Sequence, residues 1–139
     1  MNPIGDISEW VQKAEGDYQT ATTMVRKRKQ RSPDNVCFCA EQCIEKYLKA
    51  FLVQHRIPFP KTHLLESLLD LIIQVEPSLE HLRSALAVLQ PYAVEVRYPG
   101  FSATVEESQE AVKIMKRVRA VLRQQFGLSN PGSYPNLNP

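Results

Sequence analysis

The sequence contains no segment in which apolar and polar residues alternate with a period of two, so nothing in it announces a β-strand. A long apolar run is missing too. Glu66 and Asp70 interrupt the longest one, which excludes a span by an apolar helix, and no membrane partner is expected. The first residues offer Trp10 and acidic side chains where a secretory leader carries a basic and then an apolar segment, so no leader is expected. Cysteine is scarce and odd in number. Cys37, Cys39 and Cys43 fall within one helical pattern, which argues against a secreted disulfide framework and suits reduced thiols in the cytoplasm. They lack a fourth ligand and a CxxC-like turn, so neither a metal site nor a cofactor is expected. Cys39 and Cys43 share a helix face and read as small core side chains. Charge of one sign is absent as well: 17 Lys and Arg face 15 Asp and Glu, and a net charge of +2 gives no whole-chain argument for nucleic acid.

What is present is helical periodicity. The 139 residues suit one domain, placed at 1–127, with a flexible Pro/Asn-rich tail at 128–139. From Ile7, the residues Trp10, Val11, Ala14, Tyr18, Ala21 and Val25 step at three or four, an amphipathic helix whose Gly16 is tolerable if a neighbour crosses closely there. Ser32-Pro33 can cap and start a second helix. Its wide stripe, Val36, Ala40, Cys43, Ile44, Tyr47, Leu48, Phe51 and Leu52, marks it as the central one, with Glu45 and Lys49 spaced to pair on its polar face. Thr62 can cap a short third helix through Ile73, and Leu79, Leu82, Leu86 and Leu89 trace a fourth until Pro91 breaks it. Thr104 and Glu107 form a capping box for the last long helix. The reading is all-α: an up-and-down antiparallel bundle of about five helices, three long and two shorter.

Between the last two helical patterns stands Arg97-Tyr98-Pro99-Gly100, a break that looks placed for a site. Arginine in such a turn suits a phosphate, because its fork supplies paired donors and keeps its proton; its structural role would be a salt bridge to Glu45 or Glu41. Tyr98 can stack on a base or seal the end of the bundle. His63, at a predicted helix start, can serve as base or acceptor, or simply fix the turn. Lys46 and Lys49 are placed with Glu41, Gln42 and Glu45 on the exposed side of the central helix. Arg26, Lys27, Arg28, Lys29 and Arg31 form a basic run that a helix C-terminus explains and a phosphate backbone would also use. Lys113, Lys116, Arg117, Arg119 and Arg123 recur on the last helix.

Taken in order, Trp10, Ala14 and Asp17, Cys37-Phe38, Glu41-Gln42, Glu45-Lys46, Lys49-Ala50, Thr62-His63-Leu64, Tyr92 and Arg97-Tyr98-Pro99 resemble the HEPN (higher eukaryotes and prokaryotes nucleotide-binding) family from Trp10 to about Phe126. The resemblance implies a helical bundle that usually forms homodimers and works near nucleotides or RNA, often beside a minimal nucleotidyltransferase in toxin–antitoxin-like pairs. The family's nuclease branch carries an Arg-x4-6-His motif for metal-independent RNA cleavage. Here no histidine follows Arg97, and the Arg56/His63 spacing that fits the count spans a proline-rich turn. The resemblance therefore implies a nucleotide- or RNA-associated binding module, with Arg97 on a phosphate, Tyr98 shaping the pocket, and His63, Lys46 and Lys49 lining the approach. The alternatives are a metal-independent ribonuclease using His63 and a purely structural dimer or adaptor.

Overall fold

The computed structural model describes residues 6–128, and over these it comprises five α-helices and no strand. Three are long, α1 (Ile7–Met24), α2 (Pro33–Gln54) and α5 (Val105–Gln125); two are short, α3 (Leu65–Ile72) and α4 (Arg83–Leu89). Turns of 3-10 helix at Pro77–Leu82, Gln90–Ala93 and Glu95–Arg97 flank α4. The tail expected from 128 onward lies outside the described residues, except for Leu128.

Local chemistry sets most helix ends. Thr104 and Glu107 form the expected capping box on α5, and Asp6 with Glu9 forms another on α1, each satisfying two otherwise free backbone N–H groups. At the far end of α5, Gly127 takes φ +73 while its own N–H and that of Leu128 return to the carbonyls of Gln124 and Arg123, a Schellman arrangement. Two expected caps are absent. Ser32 caps no backbone N–H; its hydroxyl instead accepts from the Asn35 amide at 2.8 Å, and Pro33 alone shapes the start of α2. Thr62 stands too early, since α3 begins at Leu65, and its hydroxyl accepts from the Leu64 N–H at 3.1 Å. At Pro91 the backbone tightens into a 3-10 turn, in whose first positions a missing N–H does no harm.

α2 is the central helix, as its stripe predicted: Ile44, Tyr47, Leu48, Phe51 and Leu52 are wholly buried. Each large apolar side chain so buried contributes roughly 1.5–3 kcal/mol before the entropy of ordering is counted. α1 runs antiparallel to α2, pairing Asp17 with Lys46 and Glu15 with Tyr47. α5 runs alongside α2 in the same direction, since Ala103 meets Asp34 at one end and Arg123 meets Tyr47 further along. The short helices carry the chain back between them. Gly16 does not mark a close helix crossing: it is exposed, and a methyl group placed on it would find no atom within 4 Å.

Candidate functional site

Arg97-Tyr98-Pro99-Gly100 forms a tight turn, with the Phe101 N–H directed back to the Tyr98 carbonyl at 3.4 Å. Pro99 presets the second position, and Gly100 takes the third at φ +95, a backbone angle that a side chain would strain. The turn holds both candidate side chains at the surface. Arg97 makes no salt bridge to Glu45 or Glu41; its guanidinium lies over the Phe38 ring, 5.0 Å from the centroid, and has no hydrogen bond or ion pair among the described residues. Stacking through its face leaves the in-plane N–H donors available. Tyr98 does not seal the bundle either, because it is 62% exposed.

The other candidates gather further along the same face of α2. Phe38, Gln42, Glu45 and Lys49 recur at three- and four-residue steps, so Glu45 sits about 10 Å along the axis from the ring that carries Arg97. Glu45 is the hub. It accepts from Lys49 Nζ at 2.8 Å, faces His63 Nδ1 at 3.1 Å and receives the Gln42 amide at 3.3 Å. These groups do not form an exposed polar face: Glu41 is 0%, Glu45 4% and Lys49 8% accessible. Lys49 Nζ lies within 6 Å of the rings of both Trp10 and Phe59, which explains how an ammonium ion is accommodated there. Lys46 is half-buried and paired with Asp17. Neither lysine therefore presents a bare charge at the surface.

Glu41 completes this cluster. One of its oxygens accepts from the Gln42 amide at 2.8 Å, while the other is buried with no partner among the described residues. Burial, and next the charge of Glu45, push the Glu41 carboxyl up to about 9, so it carries its proton at neutral pH. Protonation removes the cost of burying a second charge next to Glu45 and gives the carboxyl a donor. The pair is thus a neutral acid beside a carboxylate that holds Lys49 and His63. The ring of His63 is mostly exposed, and with Nδ1 against Glu45 its Nε2 is the outer nitrogen. Arg56 lies beyond the end of α2 in a left-handed conformation, at a different level of the bundle from His63 on Glu45. The indole N–H of Trp10 is a second buried group without a partner among the described residues.

A separate polar network closes the opposite side of α2. Arg119 grips Glu15 with two bonds of 2.7 and 2.8 Å and lies 3.8 Å over the Tyr18 ring, and the Tyr47 hydroxyl bridges Glu15 and Arg123. Burial alone would raise Glu15, but the bonds from Arg119 and then Tyr47 outweigh it and hold the carboxyl low. Arg119 and Arg123, expected on a basic face, are buried here as cross-links between helices. Lys113, Lys116 and Arg117 stay exposed. Burial pushes the Cys37 thiol up to about 12 and raises Cys39 and Cys43 too, so none offers a thiolate at neutral pH. Cys37 is as buried as Cys43, whereas Cys39 is only partly covered. Among the described residues no cluster of His, Cys, Asp and Glu could hold a metal ion. A groove of about 670 Å³ between α4 and α5, lined by Ser84, Val88, Glu110, Lys113 and Arg117 among others, contains none of the candidate residues.

The sequence profile of the HEPN domain matches residues 7–125, the span of all five helices. The chain belongs to the HEPN family. Its fold superposes on the crystal structure of ST0689, an archaeal HEPN homologue, with a TM-score of 0.68 at 19% identity, covering 88% of this chain and 98% of that one. It superposes equally on the crystal structure of TT1696 from Thermus thermophilus, with a TM-score of 0.68 at 23% identity, covering 86% and 97%. No curated protein matches. At these identities the two structures establish the HEPN fold and leave the chemistry to the residues of this chain. No helix among the described residues is long and apolar enough to cross a membrane. The HEPN resemblance pointed to His63 and Arg97, but sequence reasoning missed the burial of Glu41 and Glu45. The Glu45-to-Lys49 spacing signals an ion pair, and no local pattern marks the burial.

Proposed function

We propose that this HEPN protein is a nucleotide- or RNA-associated binding module whose gripping element is the Arg97-Tyr98 turn. One observation carries the reading: an arginine with no compensating carboxylate among the described residues and an exposed tyrosine are presented together on a turn of fixed shape. The guanidinium supplies paired donors to a phosphate, and the tyrosine a face for a base. His63, Lys46 and Lys49 act from the neighbouring polar cluster, shaping and stiffening the approach. Leu64 and Val94, each about half accessible, offer apolar surface for a second copy in a homodimer. By family likeness the natural setting is cytoplasmic, beside a minimal nucleotidyltransferase in a toxin–antitoxin-like pair. Calorimetric titration with ATP and with a short single-stranded RNA tests the assignment. Saturable binding should be lost in Arg97→Ala with the helical signal intact, and unchanged affinity in that variant refutes it.

A second reading, a metal-independent ribonuclease, gains from His63. A histidine held through Nδ1 by a buried carboxylate has the orientation that general-base work requires, with Nε2 available. RNA cleavage in EDTA, abolished in His63→Ala and retained in Arg56→Ala, is the result this reading requires. Absence of cleavage by the native protein removes it.

A further inference from the structure

The loop between α1 and α2 places its charge at the same end of the bundle as the Arg97-Tyr98 turn. From Val25 to Pro33 the chain has five cations and no acidic residue. Arg26 is tethered through Nε to the Thr22 carbonyl at 2.9 Å, while Lys27, Arg28, Lys29 and Arg31 are exposed with no side-chain partner among the described residues. The first turns of α2 follow at once, and they carry the other element: Asp34 accepts the Ala103 N–H at 2.7 Å, and Phe38 supports Arg97. Two chain steps and five helical residues separate Arg31 from Phe38, so their Cα atoms are at most about 16 Å apart. Asp34, the acid nearest in sequence to the loop, is engaged by the backbone of Ala103 and held at the helix start.

From this placement we infer that the loop is a backbone track continuous with the Arg97-Tyr98 turn, and that the ligand is a single-stranded polynucleotide rather than a mononucleotide. The inference rests on the reading that the turn grips nucleotides. Four loop cations and Arg97 are more than one triphosphate can engage, whereas successive phosphates of a strand can meet them in turn. Tyr98, 62% exposed next to Arg97, selects for a strand whose bases are unstacked, since a duplex hides the base faces. An acidic protein would use the charges but leave the aromatic face without a role.

Salt dependence is the direct test, because each phosphate contact on a single strand adds about 0.7 to the slope of log K against log salt. Five contacts predict about a 100-fold loss of affinity for oligouridylate RNA between 50 and 200 mM salt. The surface variant Lys27→Gln/Arg28→Gln/Lys29→Gln should lose only about sevenfold over the same range. Its ATP affinity should equal that of the native protein, and Tyr98→Ala should weaken the RNA without changing the slope. An unaltered slope in the triple variant, or failure of the native protein to bind RNA more tightly than ATP, overturns the polynucleotide track while leaving the Arg97 site standing. Binding of duplex RNA as tight as the single strand overturns it as well. If Arg97→Ala changes neither ligand, the underlying site has failed, and the triple variant's slope still judges the loop.

Discussion

Replacing Glu41 by glutamine keeps the volume of a fully buried side chain and removes only its ionisation. In the native protein burial and then the Glu45 charge raise this carboxyl to about 9, against 4.5 in a solvated chain. Between those two values the folded state holds a proton that the unfolded state has lost. Stability therefore falls as pH rises through the window: the contribution of the protonated group is complete below about 4.5 and gone above about 9. At about 1.4 kcal/mol per unit, the step from pH 5 to pH 8 removes about 4 kcal/mol from the native protein and nothing, through this group, from the variant. Urea unfolding at several pH values between 5 and 8 measures both proteins, whose other titrating groups cancel in the comparison. The stability of Glu41→Gln relative to native should climb steadily by about 4 kcal/mol, with the urea slope unchanged. Curves that stay parallel within about 0.5 kcal/mol would mean that Glu41 ionises in place, and its neutral state beside Glu45 would be refuted.

Gly16→Ala should stabilise the protein by up to about 1 kcal/mol, seen as a higher urea midpoint, because alanine removes unfolded-chain freedom and meets no neighbouring atom. A loss of stability would place a partner against that face of α1. Arg119→Met should cost about 3 kcal/mol at pH 7, since Glu15 loses its paired donors and the Tyr47 bridge loses its anchor. Glu15 titrates low in the fold, so its contribution is present above the ordinary carboxylate value and disappears as pH falls through the folded one. The gap between native and Arg119→Met should accordingly narrow in acid, and a gap independent of pH would assign the loss to packing alone.

Helices were legible because their signals are local. The stripe of α2, the Thr104 capping box and the break at Pro91 each depend on residues within a few positions of one another. The failed caps show where locality ends: Ser32 and Thr62 have the right chemistry, yet competing partners such as the Asn35 amide and the Leu64 N–H take their hydroxyls. The site was legible as a turn but not as an environment. Glu41, Glu45 and Lys49 read as a solvated face because periodicity assigns charged residues to water. Trp10 from α1 and Phe59 and His63 from the α2–α3 loop, all remote in sequence, cover them. Nothing in the local pattern of α2 encodes that cover. Gly16, tolerable in a helix if a neighbour crosses closely, faces open space instead.

Compensation of charge separates the arginines that cross-link this HEPN domain from Arg97 in the turn before α5. Arg83 is shared among Glu66, Asp70 and Glu80. Arg119 is held by both oxygens of Glu15, and Arg123 reaches the Tyr47 hydroxyl. In each case the in-plane donors meet oxygens of the protein, and what the side chain contributes is cross-linking. Arg97 is oriented by the face of Phe38, which fixes its direction without using those donors. A carboxylate in place of that ring would have neutralised the group and converted it to another cross-link. Phe38 and the Pro99-Gly100 turn therefore belong to the proposed site as much as Arg97 itself, because they position a positive charge at the surface that no carboxylate among the described residues answers.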